Sequence, residues 1–188
     1  VVYIRVKTIL LPALLLSFAL SPVSPARTCR EVVRDSSGRI VRTIERQPQA
    51  GGGERTVIRD ASGRITGTAN SHPTGGGNTR TTYRDASGRI SGSATTWSGN
   101  SGPSRTNYRD ASGRLTGSAT TSQSAGSGTR TQFRDASGRI TGSETTHGNR
   151  TMTSTRRDSS GRVTGSSTSS GPCVGHTRKP FPMMKPGR

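Results

Sequence analysis

Aromatic residues make up only 4% of this chain, and the hydrophobic classes together only 26%. Beyond Ala26 the aromatics reduce to Tyr83, Trp97, Tyr108, Phe133 and Phe181. That is too little apolar surface for a conventional layered core, since burial of such surface is what offsets the entropy of ordering a chain. Acidic residues are scarce too, 10 against 28 Lys and Arg, which gives a formal net charge of +18. A charge of this size repels like molecules and attracts polyanions such as nucleic acid, anionic lipid headgroups or acidic polysaccharide. Only 2 cysteines are present, which excludes a disulfide-dense scaffold. The 3 histidines, His72, His147 and His176, occupy unrelated positions and supply no recurring general base.

Long apolar runs are equally rare. The single one, "ILLPALLLSFAL" from Ile9 to Leu20, follows Arg5 and Lys7 and leads into "SPVSPA". Basic start, apolar middle and small residues are the order of a secretory signal peptide, and the run is shorter than the roughly 20 residues that cross a bilayer. Residues 1–26 are therefore expected to be a signal removed after Ala26. The product is then secreted, periplasmic or held at the cell envelope, with no stable membrane span; an uncleaved anchor is the alternative. Setting Arg5 and Lys7 aside lowers the formal charge from +18 to about +16.

What the chain has in abundance is repetition. Aligned on Asp35, Asp60, Asp85, Asp110, Asp135 and Asp158, six segments read "VVRDSSGRIVR", "VIRDASGRITG", "TYRDASGRISG", "NYRDASGRLTG", "QFRDASGRITG" and "TRRDSSGRVTG". Their period is about 25 residues, the signature of a repeat architecture. The central copies are nearly identical. In the outer ones Arg42 replaces the final Gly and Arg156 replaces the apolar residue. Atypical end units suit a stacked array, in which each end has a face without a neighbour, although relaxed constraint on a disordered tail would give the same drift.

The local pattern has a physical explanation. Asp accepts hydrogen bonds from backbone N–H groups just after it, Ala-Ser or Ser-Ser fits the middle of a type I turn, and Gly takes the left-handed conformation that closes the turn. The turn-forming residues are thus Asp35 and Gly38, Asp60 and Gly63, Asp85 and Gly88, Asp110 and Gly113, Asp135 and Gly138, and Asp158 and Gly161. Flanking segments such as "TRTTY" and "RISGSATT" have the Thr, Tyr and aliphatic content of strands. Residues 27–170 are expected to form an all-β tandem array of six β-hairpins, a repetitive sheet or solenoid-like stack with room for substantial disorder. Residues 171–188 are expected to be a basic, Pro-rich flexible tail.

Two hairpin registers fit the sequence. If Asp85 faces Arg89, Tyr83 and Ile90 point to opposite faces; if Arg84 faces Arg89, they share one apolar stripe. Cys29 and Cys173 bracket the array. In an oxidising compartment they could pair, but only if the array is closed or folded back.

The segment "YRDASGRLTG", Tyr108 to Gly117, resembles the YD repeats of RHS-type secreted bacterial proteins, which carry a tyrosine-aspartate pair before a Gly-Arg-Leu segment. The resemblance covers the hairpin cores and departs from the family pattern where Arg84, Arg109 and Arg134 interrupt the pair. It implies hairpin architecture and an exported setting.

Nothing in the repeat asks for catalysis or a cofactor. Asp85 and Ser87 stand where a turn wants them, and a serine nucleophile needs a base within reach. The pair Cys173 and His176 falls short of the four ligands of a closed zinc site. The residues left unexplained by turn geometry are the arginines beside each turn: Arg59, Arg64, Arg84, Arg89, Arg109, Arg114, Arg134 and Arg139. In stacked hairpins they would form rows suited to phosphate, sulfate or carboxylate, with Tyr83, Trp97, Tyr108 and Phe133 as stacking surfaces; alternatively they pair with Asp along the array. The expected function is a non-enzymatic, exported structural or adhesive protein with a protein or cell-surface partner. The alternative is a secreted binder of DNA or acidic glycan.

Overall fold

The computed structural model describes residues 28–98, 102–124, 128–148 and 151–171; the segment read as a signal and nearly all of the basic tail lie outside the described residues. Each copy of the repeat forms two strands around its turn. In chain order these are β1 (Cys29–Asp35), β2 (Ile40–Pro48), β3 (Glu54–Asp60), β4 (Ile65–Gly75), β5 (Asn78–Asp85), β6 (Ile90–Trp97), β7 (Ser104–Asp110), β8 (Leu115–Ser124), β9 (Gly128–Asp135), β10 (Ile140–His147), β11 (Met152–Asp158) and β12 (Val163–Ser170). Every strand is antiparallel to its sequence neighbours, and β1 also pairs with β12, Arg30 opposite Ser170 through Asp35 opposite Gly165.

The all-β hairpin array is therefore present, but it is a closed barrel and not the open sheet or solenoid-like stack expected from the repeat. The end copies pair with each other, so neither needs to cap a bare face. Closure also removes the unpaired edges that a sheet of this length would otherwise expose.

The turns explain the hairpins. In the third copy the Asp85 N–H donates to the Arg89 carbonyl at 2.9 Å, and the Gly88 N–H donates back to the Asp85 carbonyl at 3.1 Å. Gly88 sits at φ +82°, which completes a type I turn with a bulge. Asp thus faces Arg across a three-residue loop, the first of the two registers that the sequence allows. A further bulge follows at once: Arg84 stands opposite Ile90 but Tyr83 opposite Gly92, leaving Ser91 as the extra residue. The extra residue turns Tyr83 and Gly92 to the lumen while Ile90 stays outside. Ile40, Ile65, Ile90, Leu115, Ile140 and Val163 accordingly form an outer row 36% to 52% exposed, and the single shared apolar stripe does not occur.

The lumen is filled by alternating large and small residues. Ala69 stands opposite Tyr83, Ala94 opposite Tyr108 and Ala119 opposite Phe133. The alanines and tyrosines form the buried apolar cluster, with Phe133 against it. Farther from the turns, hydroxyls pair across neighbouring hairpins: Ser71 with Thr81 at 2.8 Å, Thr96 with Thr106 at 2.9 Å, Thr121 with Thr131 at 2.8 Å and Thr146 with Ser154 at 2.9 Å. These pairs let Ser and Thr line an interior without leaving their polar groups unsatisfied.

Strand approach is closest at the inward glycines. A Cβ on Gly117 would lie 2.5 Å from the carbonyl oxygen of Arg134, whereas one on Gly102 meets nothing within 4 Å. Gly117→Ala should lower unfolding free energy by roughly 1–3 kcal/mol, and Gly102→Ala should change it by less than about 0.5 kcal/mol. Denaturant midpoints of the two variants check this; equal midpoints would contradict the close packing.

Candidate functional site

The outer wall carries arginine in three tiers. On the odd-numbered strands the residues flanking an inward Thr-x-Tyr pattern point outward, so Arg30, Arg55, Arg80, Arg105 and Arg130 form one exposed row. Nearer the turns come Arg34, Arg59, Arg84, Arg109, Arg134 and Arg157. Each of these donates from Nη1 to the carbonyl of the turn glycine four residues on, at 2.7 to 3.1 Å. That bond fixes each guanidinium to its turn; Arg134 also donates from Nη2 to Gln132 Oε1 at 2.9 Å. Arg39, Arg64, Arg89, Arg114, Arg139 and Arg162 form the third tier at the tips, all exposed.

The turn aspartates beside the second and third tiers are engaged within their own turns. Asp85 Oδ1 accepts from the Ser87 N–H at 2.9 Å, the Ser87 hydroxyl at 2.7 Å and the Arg89 N–H at 2.9 Å. Asp60, Asp110, Asp135 and Asp158 repeat the pattern. The alternative of Asp–Arg pairing is met at one turn among the described residues, where Arg39 Nε lies 3.1 Å from Asp35 Oδ2 in an exposed pair. Of the expected stacking residues, Tyr83, Tyr108 and Phe133 face the lumen and Trp97 alone is outside, 42% exposed. Cys29 is buried at the start of β1 and is not a free thiol. Its expected partner, Cys173, lies outside the described residues.

The same hydrogen bonds hold each turn carboxyl below the ordinary range for Asp. At Asp85 the largest cause is the Ser87 hydroxyl; burial opposes it, and the Arg89 and Ser87 N–H groups and the Arg89 charge add to the lowering. At Asp35 the Arg39 N–H leads. A lowered folded value means that the stabilisation is complete above the ordinary value of 3.8 and is lost as pH falls through the folded one. Thermal midpoints should therefore hold steady above about pH 5 and drop below about pH 4. Replacing all six turn Asp by Asn should flatten this drop, and an unchanged acid profile would contradict it.

A second site was not expected from the sequence. Where the first copy and the last two depart from the consensus, their substitutions meet inside the barrel, because β1 and β12 are neighbours. Arg42 occupies an inward place that is Gly in the other copies, Arg156 replaces the aromatic, Glu144 replaces the alanine opposite it, and Glu31 and Arg46 replace hydroxyl residues. Arg156 Nη2 donates to Glu144 Oε2 at 2.7 Å, and Arg46 Nη1 donates to Glu31 Oε2 at 2.8 Å, with Glu54 at 3.8 Å from Arg46 Nε. The Arg156 guanidinium also lies 5.6 Å from the Phe133 ring centre, a cation–π contact. These groups line a cavity of about 250 Å³ between β1, β2 and β9 to β12, reaching from the turn end to mid-barrel. The phenols of Tyr83 and Tyr108 are pushed up by burial; Arg46 acts on the first, and Glu144 and Arg156 on the second.

The Glu144–Arg156 pair stands where Ala119 and Phe133 stand one hairpin earlier. Glu144→Ala alone should destabilise by roughly 2 kcal/mol by stripping Arg156 of its acid, while Glu144→Ala with Arg156→Phe should recover most of the loss. A double-mutant cycle on denaturant midpoints reads the coupling; additive effects would contradict it. No protein-family model, curated protein or solved structure matches the chain.

Proposed function

We propose that the protein is an exported, non-enzymatic adhesive barrel that holds to polyanionic polymers through its arginine-clad outer wall. The observation that carries this reading is the three-tiered array of outward arginines, beside which the turn aspartates are bound into their own turns and Glu45, opposite Arg30, is the one other outward acid among the described residues. Alternate strands lie roughly 10 Å apart, so equivalent arginines on successive hairpins recur at about that interval around the wall. An anionic polymer lying across the hairpins would meet one fixed guanidinium after another. Oriented guanidinium groups suit bidentate bonding to phosphate, sulfate or carboxylate.

The non-enzymatic part rests on the repeated Asp and Ser, which bond to each other and to turn N–H groups. His72 and His147 are exposed on other parts of the wall. Outward Arg80, Thr82 and Arg84 on a single strand disfavour a lipid-facing wall, since an Arg at the bilayer midplane costs about 2–4 kcal/mol. The exported setting rests on the amino-terminal apolar segment and on the resemblance of the hairpin cores to YD repeats. A Cys29–Cys173 bond belongs to the same proposal: the β1–β12 seam brings the two ends of the array side by side, where such a bond would staple them.

The test measures binding of the chain to duplex DNA and to a sulfated polysaccharide across salt. Affinity should fall steeply with salt. Replacing Arg84, Arg109 and Arg134 together by Gln should flatten the log–log slope by about one unit for each arginine that engages a phosphate. Absent or salt-insensitive binding would sink the proposal.

A further inference from the structure

The charged cavity at the barrel seam has one guanidinium more than its acids can pair. Glu31 holds Arg46 and Glu144 holds Arg156, but the Arg42 guanidinium makes no hydrogen bond or ion pair among the described residues. Arg156 Nε is likewise buried without a partner. The unpaired Arg42 guanidinium and Arg156 thus repel each other across one partly desolvated space, a costly arrangement that an anion beside Arg42 would relieve. The electrostatics agree: burial pushes the Arg42 guanidinium down from its ordinary value, Arg156 pushes it further, and Glu31 and Glu144 oppose this only from a distance.

The rest of the lining indicates what kind of anion fits. Thr131, Thr146, Ser154 and Ser167 present hydroxyls, and Val33 and Ile44 present short apolar surfaces. A volume of about 250 Å³ is far larger than an inorganic oxyanion needs and lies near the lower end of ordinary small-molecule pockets, roughly 300–1,000 Å³. The cavity reaches the turn end of the barrel, where the exposed Arg34 and Arg157 border it and would draw anions toward it. Asp35 and Asp158 lie there as well, but their carboxylates accept hydrogen bonds from the turns.

We infer that the barrel lumen is a binding site for one small, hydroxyl-bearing carboxylate, its carboxyl group on the Arg42 guanidinium and its body lying against the Thr and Ser hydroxyls. The site is built from the departures of the first, fifth and sixth copies and is separate from the outer wall, so it stands whether or not the polymer reading does.

Titration calorimetry of the full chain with glucuronate, glucose and sulfate at fixed ionic strength tests it. The expected result is saturable binding of one glucuronate per barrel and none of glucose. Arg42→Gly restores the residue that the other copies carry and is compatible with the fold; it should weaken glucuronate binding roughly tenfold or more, with Arg42→Lys falling between. Far-UV spectra and thermal midpoints of both variants establish that the barrel is intact. Absence of saturable binding, equal affinity in Arg42→Gly, or glucose or sulfate binding as tightly as glucuronate would overturn the assignment.

Discussion

The pairing of β1 with β12 is the contact on which the rest of the structure depends. A chain so poor in apolar residues cannot rely on a thick core, and an open sheet of twelve strands would leave two exposed ladders of N–H and C=O groups. Closing the sheet gives every strand two hydrogen-bonded neighbours and converts one face of every hairpin into an interior. Only then do Tyr83, Tyr108 and Phe133 become buried, the hydroxyl pairs become internal, and Arg42 come near Arg156. An open array of the same hairpins would have none of these features.

Closure also explains why the copies are not all alike. On the wall from β4 to β9, glycine and alanine make room for aromatic rings, which form the buried apolar cluster. A full ring of tyrosines would have had to satisfy as many phenols inside one lumen. The first, fifth and sixth copies instead contribute Glu31, Arg42, Arg46, Glu144 and Arg156 to the opposite wall, where two acid–guanidinium pairs form and the charges reach the phenols across the lumen. The interior is thus half apolar and half ionic, and the division follows the order of the repeats along the chain.

The sequence made some of this legible and hid the rest for definable reasons. The turn could be read because Asp, Ser and Gly each answer a local requirement of backbone geometry, and the outward arginines because the turn left them unexplained. The register was not legible: the bulge at Ser91 and its equivalents arises where the turn register and the inward alternation of Tyr83 and Gly92 differ by one residue, a conflict resolved only in three dimensions. Closure was hidden because it depends on small twists and tilts summed over six hairpins, which no single copy encodes. The lumen site was hidden with it. Arg42 in a glycine position and Arg156 in an aromatic one were visible departures, but without closure they stand at opposite ends of the array and read as drift.

Inside and outside, the same side chain is used under opposite conditions. On the wall an arginine sits in water, where its charge is screened within about 8–10 Å and each interaction is weak, so binding must come from many equivalent groups acting in rows. In the lumen the surroundings are less polarisable and screening is small, so one unpaired guanidinium carries a penalty, and one matching carboxylate a benefit, that no single outer arginine can provide. A repeat of identical copies supplies the first arrangement without further specification. The second requires that copies differ, and that the differing copies meet. The closed barrel satisfies this condition because it joins the first repeat to the last.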